Sequence, residues 1–153
     1  MSSPAGEHRA TLGPVTRPSE VVWAARDEPP VGPVPGVARP TVGETALRIA
    51  AGVDWRHAVR ELLDGLLADD SPDLAEPARV TPELDAYLAA VVEHACALHG
   101  RAAPSWTQDT DRFLDHFWWP SGNRAFDALC LVQSPAAFRR RGIFIGATTL
   151  HRV

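Results

Sequence analysis

The chain contains no lysine; all fifteen of its basic residues are arginine. That absence removes a nucleotide-binding P-loop, whose lysine reaches the terminal phosphates. Gly142-Ile143-Phe144-Ile145-Gly146, the one glycine-framed candidate, also lacks the Ser or Thr that must follow. Cysteine is scarce: Cys96 and Cys130 both sit in apolar helical patterns, too few for the disulfide scaffold of an exported domain. They read as reduced, buried thiols acting as small hydrophobes. No window holds the roughly 18 uncharged apolar residues of a membrane span. The start lacks the parts of a signal peptide, and Glu7, Glu20, Asp27 and Glu28 speak against a mitochondrial-type leader. The cytoplasm is the expected compartment.

Motifs of chemistry are missing as well. There is no Gly-x-Ser-x-Gly elbow and no Cys–His pair with an orienting third group. No helix-turn-helix, zinc-finger or RNA-binding signature is present. The expectation is a chain with no catalytic residue, no cofactor and no metal.

What is present begins with a composition shift. Residues 1–43 hold eight prolines and five glycines without a sustained apolar period. Proline lacks an amide hydrogen and restricts its predecessor, so this stretch is read as a disordered tail that buries too little to order itself. Val21-Val22-Trp23-Ala24-Ala25 is a candidate docking motif within it. A start further downstream is the other reading, although Met1 is the sole methionine.

Residues 44–153 read as one all-α or mainly α domain, a bundle of five to six short helices. Glu44–Ala51 forms the first, with Leu47 and Ala50 or Ala51 inward and Gly52 as its stop. Asp54 caps the second, whose Ala58, Val59, Leu62, Leu63 and Leu66 make one apolar stripe. Thr81-Pro82 opens the third, which runs to His99 with Leu84, Tyr87, Leu88, Val91, Val92, Ala95 and Leu98 buried. Gly100 supplies its left-handed end. Asp109 caps a helix to about Phe117, with Phe113 and Phe117 in the core, and Pro120 ends it. A further helix spans Asn123 or Arg124 to Leu131, and another runs from Ser134-Pro135 to Gly142. Ile143–Ile145 is short and extended, and a last turn follows from Thr148 or Thr149.

The net charge of −4 divides unevenly. Residues 1–43 balance four acids with four arginines. Residues 44–120 set fourteen acids against six arginines, and residues 121–153 set five arginines against Asp127 alone. The total speaks against general nucleic-acid binding, but the basic final third keeps a local version open.

Two segments stand out as a candidate surface. Trp106, Trp118 and Trp119 crowd one short run, and Arg139, Arg140 and Arg141 form the only basic cluster. Consecutive arginines on a helix fan over roughly 200° of its circumference, so they cannot all be buried. The bland alternative is a solvated helix end whose charges answer the carbonyl dipole. Tryptophan beside arginine is also the usual make-up of an interface hot spot. Two other clusters carry less. Cys96 and His99 could share a helix face, but His94 and His99 diverge, and a second ligand pair is lacking. Asp111 and Asp115, four apart with His116 alongside, have the residue types of a metal-assisted hydrolase, yet acids in a first helical turn commonly answer the dipole.

Several of these pieces carry a resemblance. Leu47-Arg48-Ile49-Ala50-Ala51-Gly52, Arg60-Glu61-Leu62-Leu63-Asp64, Pro104-Ser105-Trp106-Thr107, Trp118-Trp119-Pro120 and the run from Ser134 to Phe144 resemble a family of short proteins from high-GC bacteria. The arginine-only, Ala/Gly/Pro-rich composition agrees with such a genome. The resemblance covers residues 44–153 and implies a partner of a nucleotidyltransferase-like protein in a toxin–antitoxin-like gene pair. It implies no catalytic residue. The function expected from residues and resemblance together is non-catalytic and antitoxin-like: masking a protein partner through Trp106, Trp118, Trp119, Arg139, Arg140 and Arg141. A nucleic-acid-binding regulator using the basic final third is the alternative.

Overall fold

Thr41 starts the first helix with a reciprocal cap. Its hydroxyl accepts the Glu44 amide at 3.1 Å, and the Glu44 carboxylate accepts the Thr41 amide at 2.8 Å. The computed structural model describes residues 39–150. Most of the stretch read as a disordered tail, with its candidate motif at Val21–Ala25, therefore lies outside the described residues. So does the end of the last turn.

Five α-helices and four short 3-10 turns make up the described residues, with no strand among them. Helix α1 covers Val42–Ala50 and buries Val42, Thr45, Ala46 and Ile49. The expected inward face of Leu47 is corrected: Leu47 is 62% exposed, and Ala50 and Ala51 are exposed too. Because the helix begins at Val42, its i, i+4, i+7 stripe runs through Val42, Ala46 and Ile49, and Leu47 falls off it. Gly52, at φ +93°, then turns the chain.

Helix α2 (Trp55–Ala68) is capped by Asp54, which accepts the His57 amide at 3.0 Å. It buries the stripe expected of it: Ala58, Val59, Leu62, Leu63 and Leu66. Helix α3 (Pro82–Leu98) is capped by Thr81 with Pro82 in its first turn. From Asp85 to Val92 every residue is buried, so α3 is a central helix with neighbours on all sides. Its alanines at 86, 89 and 90 let those neighbours approach closely. Leu98 corrects another expectation: in the last turn, beyond the packed region, it is 62% exposed. Gly100, at φ +63°, ends the helix as expected.

The helix expected from Asp109 to Phe117 is absent. In its place are single turns at Ser105–Gln108 and Thr110–Arg112, followed by bends at Phe113, Asp115 and His116 that lead into an extended Trp118. Asp109 makes no side-chain cap. Long-range partners explain the change. The Leu114 amide donates to the Arg141 carbonyl at 3.3 Å and the Trp118 amide to the Gly142 carbonyl at 2.8 Å. The Phe144 amide returns to the Trp118 carbonyl at 2.9 Å, closing a parallel bridge between Trp118 and Ile143. Local helix bonds yield to these, and β-branched or aromatic residues at 110, 113, 117, 118 and 119 favour extended backbone.

After a turn at Arg124–Phe126, α4 covers Asp127–Gln133 and α5 covers Ala136–Arg139. The chain leaves α5 at Gly142, φ +76°. Ile143 and Ile145 then enter the core beside Phe138, and a final turn covers Ala147–Leu150. Among the described residues no helix is long and apolar enough to cross a membrane.

Candidate binding surface

The three arginines have three different environments. Arg139 is exposed and makes no ion pair among the described residues. Arg140 is partly exposed and spans to α3, with Nη2 donating to Glu93 Oε2 at 2.6 Å and to the side-chain Oε1 of Gln108. Arg141 is fully buried. Its guanidinium donates to the Ala137 carbonyl at 2.7 Å and to the Thr107 carbonyl, meets Glu93 at 2.8 Å and covers the Phe113 ring at 4.8 Å. Burial pushes its pKa below the ordinary arginine value, and the Glu93 carboxylate opposes that shift. Arg141 therefore joins α3, α5 and the 105–113 segment and has no face to offer a partner.

The tryptophans divide in the same way. Trp106 is buried, with Nε1 donating to the Leu74 carbonyl at 2.9 Å and the Arg112 guanidinium 4.9 Å above its ring. Arg112 is itself fully buried and donates to Glu76 Oε1 at 3.0 Å. Trp106 and Arg141 are thus corrected from surface to interior. Converting Trp106 to phenylalanine keeps most of the packing and deletes one buried hydrogen bond. Urea unfolding is expected to show a loss of about 1 kcal/mol for Trp106→Phe.

Trp118 and Trp119 point opposite ways, because successive side chains of extended backbone alternate faces. Trp118 turns inward, 5.9 Å from both the Trp55 and Tyr87 rings. Trp119 takes the other side, half-buried with its indole nitrogen covered, and stacks on Phe144 at 5.1 Å, with Phe117 edge-on to both. Phe117 was expected in the core. It is 69% exposed, because no helix forms here to carry it to the core face with Phe113.

Following this aromatic group in the chain is an exposed apolar stretch that motif reading did not single out. Phe117, Phe126, Leu129, Leu131 and Val132 are all exposed, Val132 by 78%. They account for five of the eight exposed large hydrophobic residues and fall within one 16-residue stretch. Of α4 and the turn before it, only Cys130 is buried. The end of α4 is fastened beside the aromatic group, where the Ser134 hydroxyl accepts the Ile145 amide at 2.6 Å and donates to its carbonyl at 3.1 Å. The stretch carries only Arg124 and Asp127 as charges. A signal was available in the sequence: Ala128-Leu129-Cys130-Leu131-Val132 is apolar all round a two-turn helix, and one core cannot cover every side.

The remaining candidate clusters do not assemble. Asp111 pairs with Arg79 at 2.6 Å, whereas Asp115 bonds the His116 ring at 2.8 Å. That contact with His116 lowers the Asp115 pKa. His94 packs edge-on against Phe138, and Cys96 is a buried free thiol whose pKa burial raises. Compared with known proteins, the chain matches no family model, no curated sequence and no solved structure.

Proposed function

We propose that this protein is a non-catalytic binding module whose contact surface runs from Phe117 to Val132. The observation that supports it is the concentration of exposed apolar side chains on α4 and beside Trp119, on a framework held by buried ion pairs. Monomeric proteins rarely leave such a patch uncovered without a use for it. Phe117 acts as the aromatic anchor on a base of Trp119 and Phe144, and the exposed side chains of α4 add the aliphatic contacts.

Charge sets the chemistry of the partner. Arg139 lies one turn from Gly142, against which the Phe117 ring packs, and Arg124 precedes α4. Both guanidiniums are exposed. The fitting partner is a protein with an apolar recess rimmed by carboxylates, which these arginines recognise bidentately. The family resemblance supplies a class for it, a nucleotidyltransferase-like protein encoded alongside, masked in the manner of a toxin by its antitoxin. A phosphate-binding reading is less well supported, because Arg140 and Arg141 are engaged by Glu93 and Arg112 by Glu76.

The test is co-expression with the product of the adjacent gene, followed by titration calorimetry. Phe117→Ser with Val132→Ser touches two exposed positions, so the melting temperature should hold while affinity falls at least about tenfold. Unchanged affinity in that double variant overturns the proposal. So does a homodimer of the isolated chain that the same substitutions dissociate, since the patch would then be covered by a second copy.

A further inference from the structure

A second feature lies apart from the exposed patch. Trp55, Val59 and Leu63 of α2, with Ile145 and Leu150, wall a cleft of about 260 Å³ that opens to solvent. Its polar groups converge from different elements. Arg56 and Arg60 stand one turn apart on α2, and Tyr87 comes from the central helix. The Arg56 guanidinium is oriented by a 2.7 Å bond to the Pro120 carbonyl and lies 4.7 Å over the Trp55 ring. Arg60 makes no ion pair or hydrogen bond among the described residues.

Tyr87 is 2% exposed, and its side chain lines the cleft. Burial holds its pKa well above the usual phenol value, against the pull of Arg56 and Arg60, so it stays a neutral donor at every physiological pH. Asp64 also lines the cleft. Two guanidiniums beside an apolar wall suit an anion that carries an apolar body.

We infer that this cleft binds a small monocarboxylate with an apolar body. The carboxylate sits between Arg56 and Arg60 and accepts the Tyr87 hydroxyl, and the apolar part lies on Trp55, Leu63 and Ile145. Few polar groups converging in an apolar recess is the ordinary composition of a small-molecule site. The volume admits a phenyl or short branched aliphatic acid.

Phenylacetate and hexanoate are the probes, titrated into the full chain by calorimetry and followed through tryptophan fluorescence. Phenylacetate has about ten non-hydrogen atoms, so a Kd near about 1 mM or below requires only about 0.4 kcal/mol per atom, well inside the ceiling for small ligands. Arg60→Gln changes an exposed side chain and is expected to weaken binding at least about tenfold, the loss of one charge-assisted hydrogen bond. Tyr87→Phe keeps the ring packing and should weaken it about fivefold. Four results would overturn the inference: no saturation by either acid at about ten times that concentration, equal binding of phenylacetamide, equal binding of inorganic phosphate, or an unchanged Kd in Arg60→Gln. None of these bears on the Phe117-to-Val132 patch, so the two proposals fail separately.

Discussion

Arg141→Leu is expected to lower the free energy of unfolding by about 3 kcal/mol or more, whereas Arg139→Leu, two positions earlier, changes it by less than about 0.5 kcal/mol. The contrast follows from burial. Arg141 is wholly inside, tied to Glu93, to two main-chain carbonyls and to the face of Phe113, while Arg139 is exposed. Removing the guanidinium leaves the Ala137 and Thr107 carbonyls without their donor and removes one of the two cations at Glu93. The loss is tempered by Arg140, which keeps its own 2.6 Å contact with that carboxylate. Replacing both partners, Arg141→Leu with Glu93→Leu, should destabilise by less than the sum of the single changes, because no uncompensated buried charge remains. Denaturant titration of the four variants decides the matter. Equal costs for Arg139→Leu and Arg141→Leu would remove the strut.

Gly142→Ala is expected to cost about 3 kcal/mol, against about 1 kcal/mol for Gly122→Ala. Both glycines hold positive φ, +76° and +65°, which an alanine adopts only at about 1–2 kcal/mol. The difference is what the new methyl meets. At Gly142 it would lie 2.7 Å from the His116 carbonyl oxygen, a main-chain atom that no side-chain rotation can withdraw. At Gly122 nothing lies within 4 Å. Relieving the clash means parting the 116–118 backbone from 142–144, where the Trp118–Ile143 bridge and its two hydrogen bonds hold the chain. Overpacking of that kind adds about 1–3 kcal/mol. Similar melting temperatures for the two variants would show that the segments are not firmly joined.

These two positions mark where local reading stopped working. Gly142 was legible as the end of a helix, because a glycine after an apolar–basic turn commonly takes the left-handed cap. Its close approach to His116 was not, since the two are far apart in sequence. The arginine cluster was legible as too crowded to bury whole, yet nothing in three identical neighbours says which of them goes inside. That choice belongs to Glu93, Thr107 and Phe113, which reach Arg141 from elsewhere in the fold. Likewise Phe117 and Trp118 appeared to lie on a helix, and the 3.6-residue period put Phe117 in the core. No helix forms there, and the phenylalanine moves to the solvent side.

The chain by itself determined that the structure is helical, where α2 and α3 begin, which face of α2 is buried and where α1, α3 and α5 are stopped. Those follow from caps, periodicity and glycine conformation, forces that act over a few residues. The tertiary structure decided which tryptophans and arginines became framework, drew residues 113–118 out of a helix and left the apolar side chains of α4 exposed. It also brought Tyr87 to the wall shared with Arg56 and Arg60. Each of these depends on partners distant in sequence, and their bonds outweigh local preference only after the chain has closed around α3.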